Sequence, residues 1–372
     1  MKKVKRNILL NPGPATTTDT VKYAQVVPDI CPREEEFGGL MNGIRSDLVK
    51  IAGGDKNYTT VLFGGSGTAA MDSVISSVVP PMKKILIINN GAYGERMTKI
   101  AETYNIDFIE LKFEWGTKIH LEKVKSTIQK EDNLACIAMV HHETTTGMLN
   151  PVSEIGEITK NNNCTFIVDT ISSFAGTPFS IKDHNIDFMM STSNKCIQGI
   201  PGVAFVICKK SELEKIKNYP KRSFYLDLYS QYDYLEKNKQ MRFTPPVQTM
   251  YALRKAIDEF FKEKAENRYK RYFENWKTLV KGMEKLGFKK ILNNDEESHI
   301  LTTFLEPKDE NYDFKKMHDL LYEKRFTIYP GKLGDEKTFR LANMGAINKK
   351  DVEGFLIALD EALKEMHVKL KE

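Results

Sequence analysis

The sequence predicts an α/β fold: a large, doubly wound, mostly parallel sheet domain followed by a smaller α+β C-terminal unit. Three observations predict it. From about residue 60 to 210, short apolar runs alternate with amphipathic stretches, the pattern of strand–helix crossovers. After Thr244, Pro245 and Pro246 the character changes to a long helical stretch, and then to a shorter mixture of strands and helices. The length of 372 residues also exceeds the roughly 250–300 at which one hydrophobic core stops growing. A division into 1–245 and 246–372 is therefore expected.

Element by element, the apolar runs Thr59 to Phe63, Lys84 to Asn89, Ile106 to Lys112, Leu134 to His141, Cys164 to Asp169, Phe188 to Thr192 and Val203 to Cys208 have the length of buried strands. Between them, Thr68 to Ser77, Glu95 to Tyr104, Leu121 to Gln129 and Val152 to Asn161 read as helices. Val247 to about Leu286 reads as one long helix joining the two parts, with Leu253, Ile257, Phe260 and Phe261 at helical spacing. The remainder reads as strands at Ile300 to Leu305, Phe326 to Tyr329 and Thr338 to Leu341, and helices at Phe314 to Lys324 and Lys350 to Met366. The segment Pro330 to Glu336 either connects strands or closes over a ligand.

Composition narrows the function classes. With 41% hydrophobic and 28% charged residues the chain is a globular protein, and no run approaches the ~20 apolar residues of a membrane helix. The basic start is followed only by Ile8, Leu9 and Leu10, too short for a secretion signal, so the cytoplasm is the expected compartment. Five cysteines form no CxxC pair, and are expected as reduced thiols rather than a disulfide framework or a metal site. The net charge of +5 sits largely in residues 262–290, ten Lys and Arg against four Asp and Glu. That is a solvated helix face, and no nucleic-acid partner is expected.

The chemistry should lie beyond the carboxyl ends of the strands, where open α/β sheets bind ligands. Phe63 to Ala70 is a strand, a glycine turn and a helix start, in which Ser66, Gly67 and Thr68 can cradle a phosphate with free amides and hydroxyls. It is neither GxGxxG nor GxxxxGK[ST], which counts against a dinucleotide or a nucleoside triphosphate. Asp169 ends a second strand, and Lys195 follows a third, 26 residues on. Pyridoxal phosphate needs an amine for its aldehyde, a carboxylate for its pyridine nitrogen and a cradle for its phosphate, and all three occur here.

The segments Asn11 to Pro14, Gly65 to Thr68, Asn90 to Gly94, His142 to Gly147, Val168 to Ser173 and Ser193 to Gly202 resemble the class V, fold type I aminotransferases, over most of the chain from Asn11 to about Asn343. The details Cys31 to Phe37, Asn90 to Gly94 and His142 to Asn150 are most similar to the branch that moves an amino group from 2-aminoethylphosphonate to pyruvate. Tyr93, where the alanine–glyoxylate and serine–pyruvate branch usually has Trp, argues against that alternative. The cysteine desulfurases need a late nucleophilic cysteine, and none follows Cys208. A non-enzymatic phosphate-binding module using only the glycine loop is the remaining alternative.

The resemblance implies roles. Lys195 would take the cofactor's aldehyde and shuttle the substrate proton, and Asp169 would pair with the ring nitrogen. Tyr93 would stack on the ring, and Thr145, or its neighbour Thr144 or Thr146, would hydrogen-bond the phenolic oxygen. Ser66, Gly67, Thr68, Ser193 and Thr244 would hold the phosphate, Thr244 from the neighbouring subunit of a homodimer with shared sites. Arg340 would bind the carboxylate and the phosphonate in turn; Thr17 and Arg33 would either sit near the same mouth or serve only as turn capping or a surface ion pair. Cys196, beside the lysine, is expected to be a packing residue.

Overall fold

The computed structural model describes residues 3–331, 333 and 336–370, so the segment Pro330 to Glu336 lies partly outside the described residues. Seven strands form one sheet: β1 (Tyr58–Gly65), β2 (Lys84–Asn89), β3 (Phe108–Lys112), β4 (Leu134–Val140), β5 (Thr165–Asp169), β6 (Phe188–Thr192) and β7 (Gly202–Lys209). Their spatial order is β3-β2-β4-β5-β6-β7-β1. Every pairing among β2 to β6 is parallel, while β7 runs antiparallel to both β6 and β1. Five or more consecutive positions of β2, β4, β6 and β7 are buried, as expected for strands covered by helices on both faces.

Each expected strand of this sheet is present within a few residues of its expected ends. The helices Gly67–Val78, Ala92–Thr103, Leu121–Gln129 and Val152–Asn161 fill the crossovers. A helix not read from the sequence, Glu35–Ile51, lays Phe37, Met41, Ile44 and Leu48 against the sheet's core. Lys210–Ile216 and Leu228–Asn238 are likewise additional.

The long helix expected from Val247 to Leu286 is two, Val247–Glu263 and Ala265–Lys285. Lys264 adopts φ 69° and ψ 147°, which no helix can continue, while its amide still closes the first helix on the Phe260 carbonyl at 2.8 Å. The turn lets the Arg268 guanidinium, 2% exposed, fold back onto Glu263 and the Phe260 ring.

A second sheet has the order Leu301–Leu305, Thr338–Ala342, Tyr329–Pro330 and is antiparallel. It packs against Phe314–Glu323 and Lys349–Glu365, the latter started by a capping box between Asn348 and Asp351. Packing crosses the expected 245–246 boundary in both directions. Val247, Met250, Leu253, Ile257 and Phe260 belong to the core of the large sheet. Ile8 and Leu10 belong to the core formed by Leu279 to Met366, where Ile8–Leu9 pairs in parallel with Phe326–Thr327. We propose a division on these packing lines, with the N-terminal strand in the smaller unit. Among the described residues no helix is long and apolar enough to cross a membrane.

Lys264 is a non-glycine residue in a region that glycine alone enters cheaply, at a cost of about 1–3 kcal/mol. Glycine there should relieve that strain and lose about 0.5–1 kcal/mol to its greater unfolded-state entropy. Lys264→Gly is therefore expected to raise the urea unfolding midpoint slightly; a lower midpoint would mean that the lysine side chain contributes more than the strain costs.

Candidate active site

The site forms where β1, β2, β4, β5 and β6 end together. Asp169 is the last residue of β5, and Lys195 follows β6 in a tight turn closed by the Gln198 amide on the Lys195 carbonyl. Because β5 and β6 are adjacent and parallel, their carboxyl ends deliver both groups to one place. Asp169 is 2% exposed and Lys195 9%.

Burial dominates both titrations. It pushes the Asp169 carboxyl up to about 7, against one hydrogen bond from the Ile171 amide to Oδ1 at 2.7 Å and the positive fields of Lys195 and Arg96. It pulls the Lys195 amine down to about 8, so that near neutrality an appreciable fraction is unprotonated and nucleophilic. Lys195 Nζ donates to the Pro12 carbonyl of the N-terminal segment. Gly13, at φ 129°, lies against the lysine stem, and a Cβ there would come within 2.6 Å of Lys195 Cδ. Only glycine fits that close approach.

Ser66 occupies the N-cap of helix Gly67–Val78 with extended backbone and no side-chain capping bond, so its hydroxyl and the first helical amides remain available to an anion. Gly67 abuts Ile171, two residues beyond Asp169, which places the cradle beside the carboxylate. Thr68 Oγ1 accepts a hydrogen bond from Arg96 Nη1 at 3.3 Å. The same guanidinium lies 4.7 Å from the centre of the Tyr93 ring.

The turn carrying Tyr93 is held from below by Glu143, which is fully buried and whose carboxyl burial pushes up. Its carboxylate accepts from the amides of Tyr93 at 3.3 Å and Thr145 at 3.1 Å, and from the Thr145 hydroxyl at 2.5 Å. A Cβ on Gly91 would sit 2.2 Å from Glu143 Cδ, so this residue has to be glycine for the carboxylate to enter. Burial lowers the neighbouring His142 to about 3, leaving it neutral, with Nε2 hydrogen-bonded to the Ser298 hydroxyl at 2.9 Å.

Arg340 comes from the second sheet. Its Nη1 and Nη2 donate to the carbonyls of Thr144 at 3.2 Å and Pro330 at 3.1 Å, and its buried Nε has no hydrogen-bond partner among the described residues. Its guanidinium lies 5.2 Å from the Tyr329 ring centre. An arginine resting on carbonyls alone is poised for an anionic ligand.

The expected residues thus divide. Lys195, Asp169, Ser66, Gly67, Thr68, Tyr93 and Arg340 surround one region. Thr145 lies there too, but its hydroxyl donates to Glu143 and accepts from the Ala92 amide at 3.1 Å. Ser193 is fully buried, and its hydroxyl donates to the Ile200 carbonyl, bracing the lysine turn. Thr17 is half-buried, with its carbonyl accepting from Lys22 Nζ at 2.7 Å. Arg33 is not brought to the lysine: its guanidinium binds Gln240 and the carbonyls of Met241 and Arg242, because that loop offers three acceptors to one fork. Those residues lead to Thr244, which is exposed. Cys196 is a packing residue as expected, its thiol pushed up to about 12 by burial.

Arg96 and Glu143 are the residues whose part the sequence reading missed. Arg96 follows Tyr93 by three positions at the start of a helix, a spacing that puts both on one face. A cavity of about 630 Å³ lined by Arg45, Tyr58 and Lys210 opens at the opposite end of the sheet, where β1 begins and β7 ends, away from these groups.

A fold of this topology with a buried strand-end lysine and carboxylate defines a class, and the comparisons agree. The model of the family "Aminotransferase class-V" matches residues 18–326, and the chain belongs to that family. It is 40% identical over 361 residues to the 2-aminoethylphosphonate–pyruvate transaminase of Phocaeicola vulgatus, covering 96% of this chain and 99% of that one. It is 41% identical over 349 residues to a bifunctional phosphonoacetaldehyde hydrolase/aminoethylphosphonate transaminase of Clostridioides difficile, matching 93% of this chain but spanning only 55% of that longer protein. Among solved structures, the ureidoglycine–glyoxylate aminotransferase of Bacillus subtilis superposes with a TM-score of 0.90 at 25% identity, covering 100% of this chain and 96% of that one.

The titration of Asp169 has a measurable sign. Between its ordinary value near 4 and its folded value of about 7, the folded protein keeps a proton that the unfolded chain has released. The stability of the cofactor-free protein relative to its Asp169→Asn variant should therefore fall as pH rises from 4 to 7 and stay level above that. Urea denaturation of both proteins across this range checks it, and a wild-type stability that rises relative to the variant from pH 4 to 7 would contradict the buried, poorly compensated carboxylate.

Proposed function

We propose that the chain is a pyridoxal-phosphate-dependent transaminase that moves the amino group of 2-aminoethylphosphonate to pyruvate, giving phosphonoacetaldehyde and alanine in two half-reactions. The observation that carries the reaction type is the buried Lys195 amine, held near neutrality beside Asp169 and the Ser66 to Thr68 cradle. The relatives that share 40% of its residues over 96% of the chain supply the substrate pair.

The residues fit the cofactor. Ser66 has an uncapped hydroxyl at a helix start, Asp169 is a buried acceptor, and the space beside the Lys195 stem is kept by a glycine. When bound, pyridoxal phosphate supplies an aldehyde to take up the amine and a ring to draw electron density from the substrate carbon. Lys195 would give up its hydrogen bond to Pro12 to present its amine to that aldehyde, and would afterwards move a proton from the substrate carbon. Asp169 holds a proton on the ring nitrogen, in a site dry enough for the pairing to be strong. Ser66, Gly67 and Thr68 bind the phosphate, and Ser193 keeps the lysine turn in register behind it. Tyr93 offers its ring as a platform, and Thr145 reaches the phenolic oxygen by turning its hydroxyl away from Glu143.

Arg340 binds the carboxylate of pyruvate and the phosphonate of the donor in turn, giving up its carbonyl contacts to do so. We also propose a homodimer with shared sites, supported by the exposure of Thr244. The five free thiols support a cytoplasmic location. Thr17 would add a hydroxyl to the phosphonate, a reading supported by its nearness in the chain to Pro12 and Gly13, which meet Lys195, whereas Arg33 would act by holding the loop that leads to Thr244.

Two experiments test the reading. Purified protein supplied with pyruvate should form alanine faster from 2-aminoethylphosphonate than from serine, taurine or β-alanine; preference for serine would favour the serine–pyruvate type. Arg340→Ala should slow both half-reactions by about tenfold to a hundredfold, the loss expected for one charged hydrogen-bonding group. Single-turnover kinetics of each half separate them, and a loss confined to the pyruvate half would place the phosphonate on another group.

A further inference from the structure

We propose that Arg96 is a positioning residue of the phosphate cradle: it turns the Thr68 hydroxyl toward the bound anion and adds the positive charge that the cradle's own residues lack. This rests on the reading that the cradle takes the cofactor's phosphate.

Directionality of the hydrogen bond carries the first part. A guanidinium has donors only, so in the 3.3 Å contact between Arg96 Nη1 and Thr68 Oγ1 the hydroxyl oxygen must accept. Its single proton then points elsewhere, and Thr68, the second residue of helix Gly67–Val78, stands among the free amides of that helix start. A threonine at such a position can equally turn its proton back onto the protein. Arg96 occupies the oxygen and leaves the proton for the anion.

Charge carries the second part. Ser66, Gly67 and Thr68 bring amides and hydroxyls but no cation to a ligand with about two negative charges. Arg96 brings a cation to the cradle through its bond to Thr68, and among the described residues no carboxylate pairs with it. Its field is nevertheless felt by Asp169 and Lys195, lowering both, so the guanidinium belongs to the same electrostatic site. The Tyr93 ring, 4.7 Å away and three residues earlier on the same helix face, holds the fork in place. One side chain thereby ties the surface expected to face the cofactor ring to the cradle expected to hold its phosphate.

The test compares two ligands that differ only in the phosphate. Cofactor-free wild-type protein and its variants are titrated with pyridoxal 5′-phosphate and with pyridoxal, followed by quenching of protein fluorescence rather than by activity. Arg96→Gln should weaken pyridoxal phosphate binding by about tenfold to a hundredfold while changing pyridoxal binding by less than about twofold. Arg96→Lys should recover part of the loss, keeping the charge without the fork. In a Thr68→Val background, Arg96→Gln should cost less than it does alone, because part of its effect passes through that hydroxyl. Equal losses for both ligands would make Arg96 merely a structural residue and overturn the proposal, as would an unchanged preference for the phosphate form. If wild-type protein itself binds both ligands equally, the phosphate reading of the cradle fails and takes this inference with it.

Discussion

An amine and a carboxylate are buried at the ends of two adjacent parallel strands without a hydrogen bond to neutralise one another, and the rest of the site is arranged around that constraint. Lys195 turns to the Pro12 carbonyl and Asp169 to the Ile171 amide, so each keeps an interaction that a ligand can replace or complement. Desolvation then sets the two titrations within about a unit of each other near neutrality, the amine at about 8 and the carboxyl at about 7. Such a pair is costly to the empty fold and useful to chemistry, the usual relation between buried ionisable groups and function. Sheet order makes it possible: β5 and β6 are neighbours, and the antiparallel β7 brings its starting residue Gly202 opposite Gly65 of the cradle strand.

The two packing units meet over this pair. The N-terminal segment leaves the second core through Leu10 and reaches Lys195 within two residues, its approach made possible by Gly13. From the other side, Ser298 bonds to His142 and its amide to the Gly147 carbonyl, while Arg340 spans to Thr144. The loop His142 to Gly147 is thereby held between the units, and the buried Glu143 beneath it fixes the Tyr93 turn.

Much of this was legible in the sequence, and the parts that were not have physical causes. The inner strands of the large sheet announce themselves as short apolar runs because both of their faces are covered. Asp169, Lys195 and the cradle stand out because each ends or follows such a run. Helix Glu35–Ile51 was legible in principle, since Phe37, Met41, Ile44 and Leu48 recur at helical spacing, but three glycines and an acidic start obscure it. The break at Lys264 leaves no mark, because a lysine in a conformation suited to glycine looks like any other helical lysine. Ile8–Leu9 is too short for an alternation to show. The engagements of Arg33 with its loop and of Thr145 with Glu143 share one cause: a resemblance carries over residue types and positions, whereas hydrogen-bond partners depend on loops such as Gln240 to Arg242 that pair only in the folded chain.

The central claim is that Lys195 is the amine that carries the cofactor. Incubation of the purified protein with pyridoxal phosphate, trapping with borohydride and peptide mass mapping address it directly. The account predicts one reduced cofactor per chain on the peptide containing Lys195. A stoichiometric adduct on any other lysine, or none on Lys195 under conditions in which the protein turns over, would contradict it.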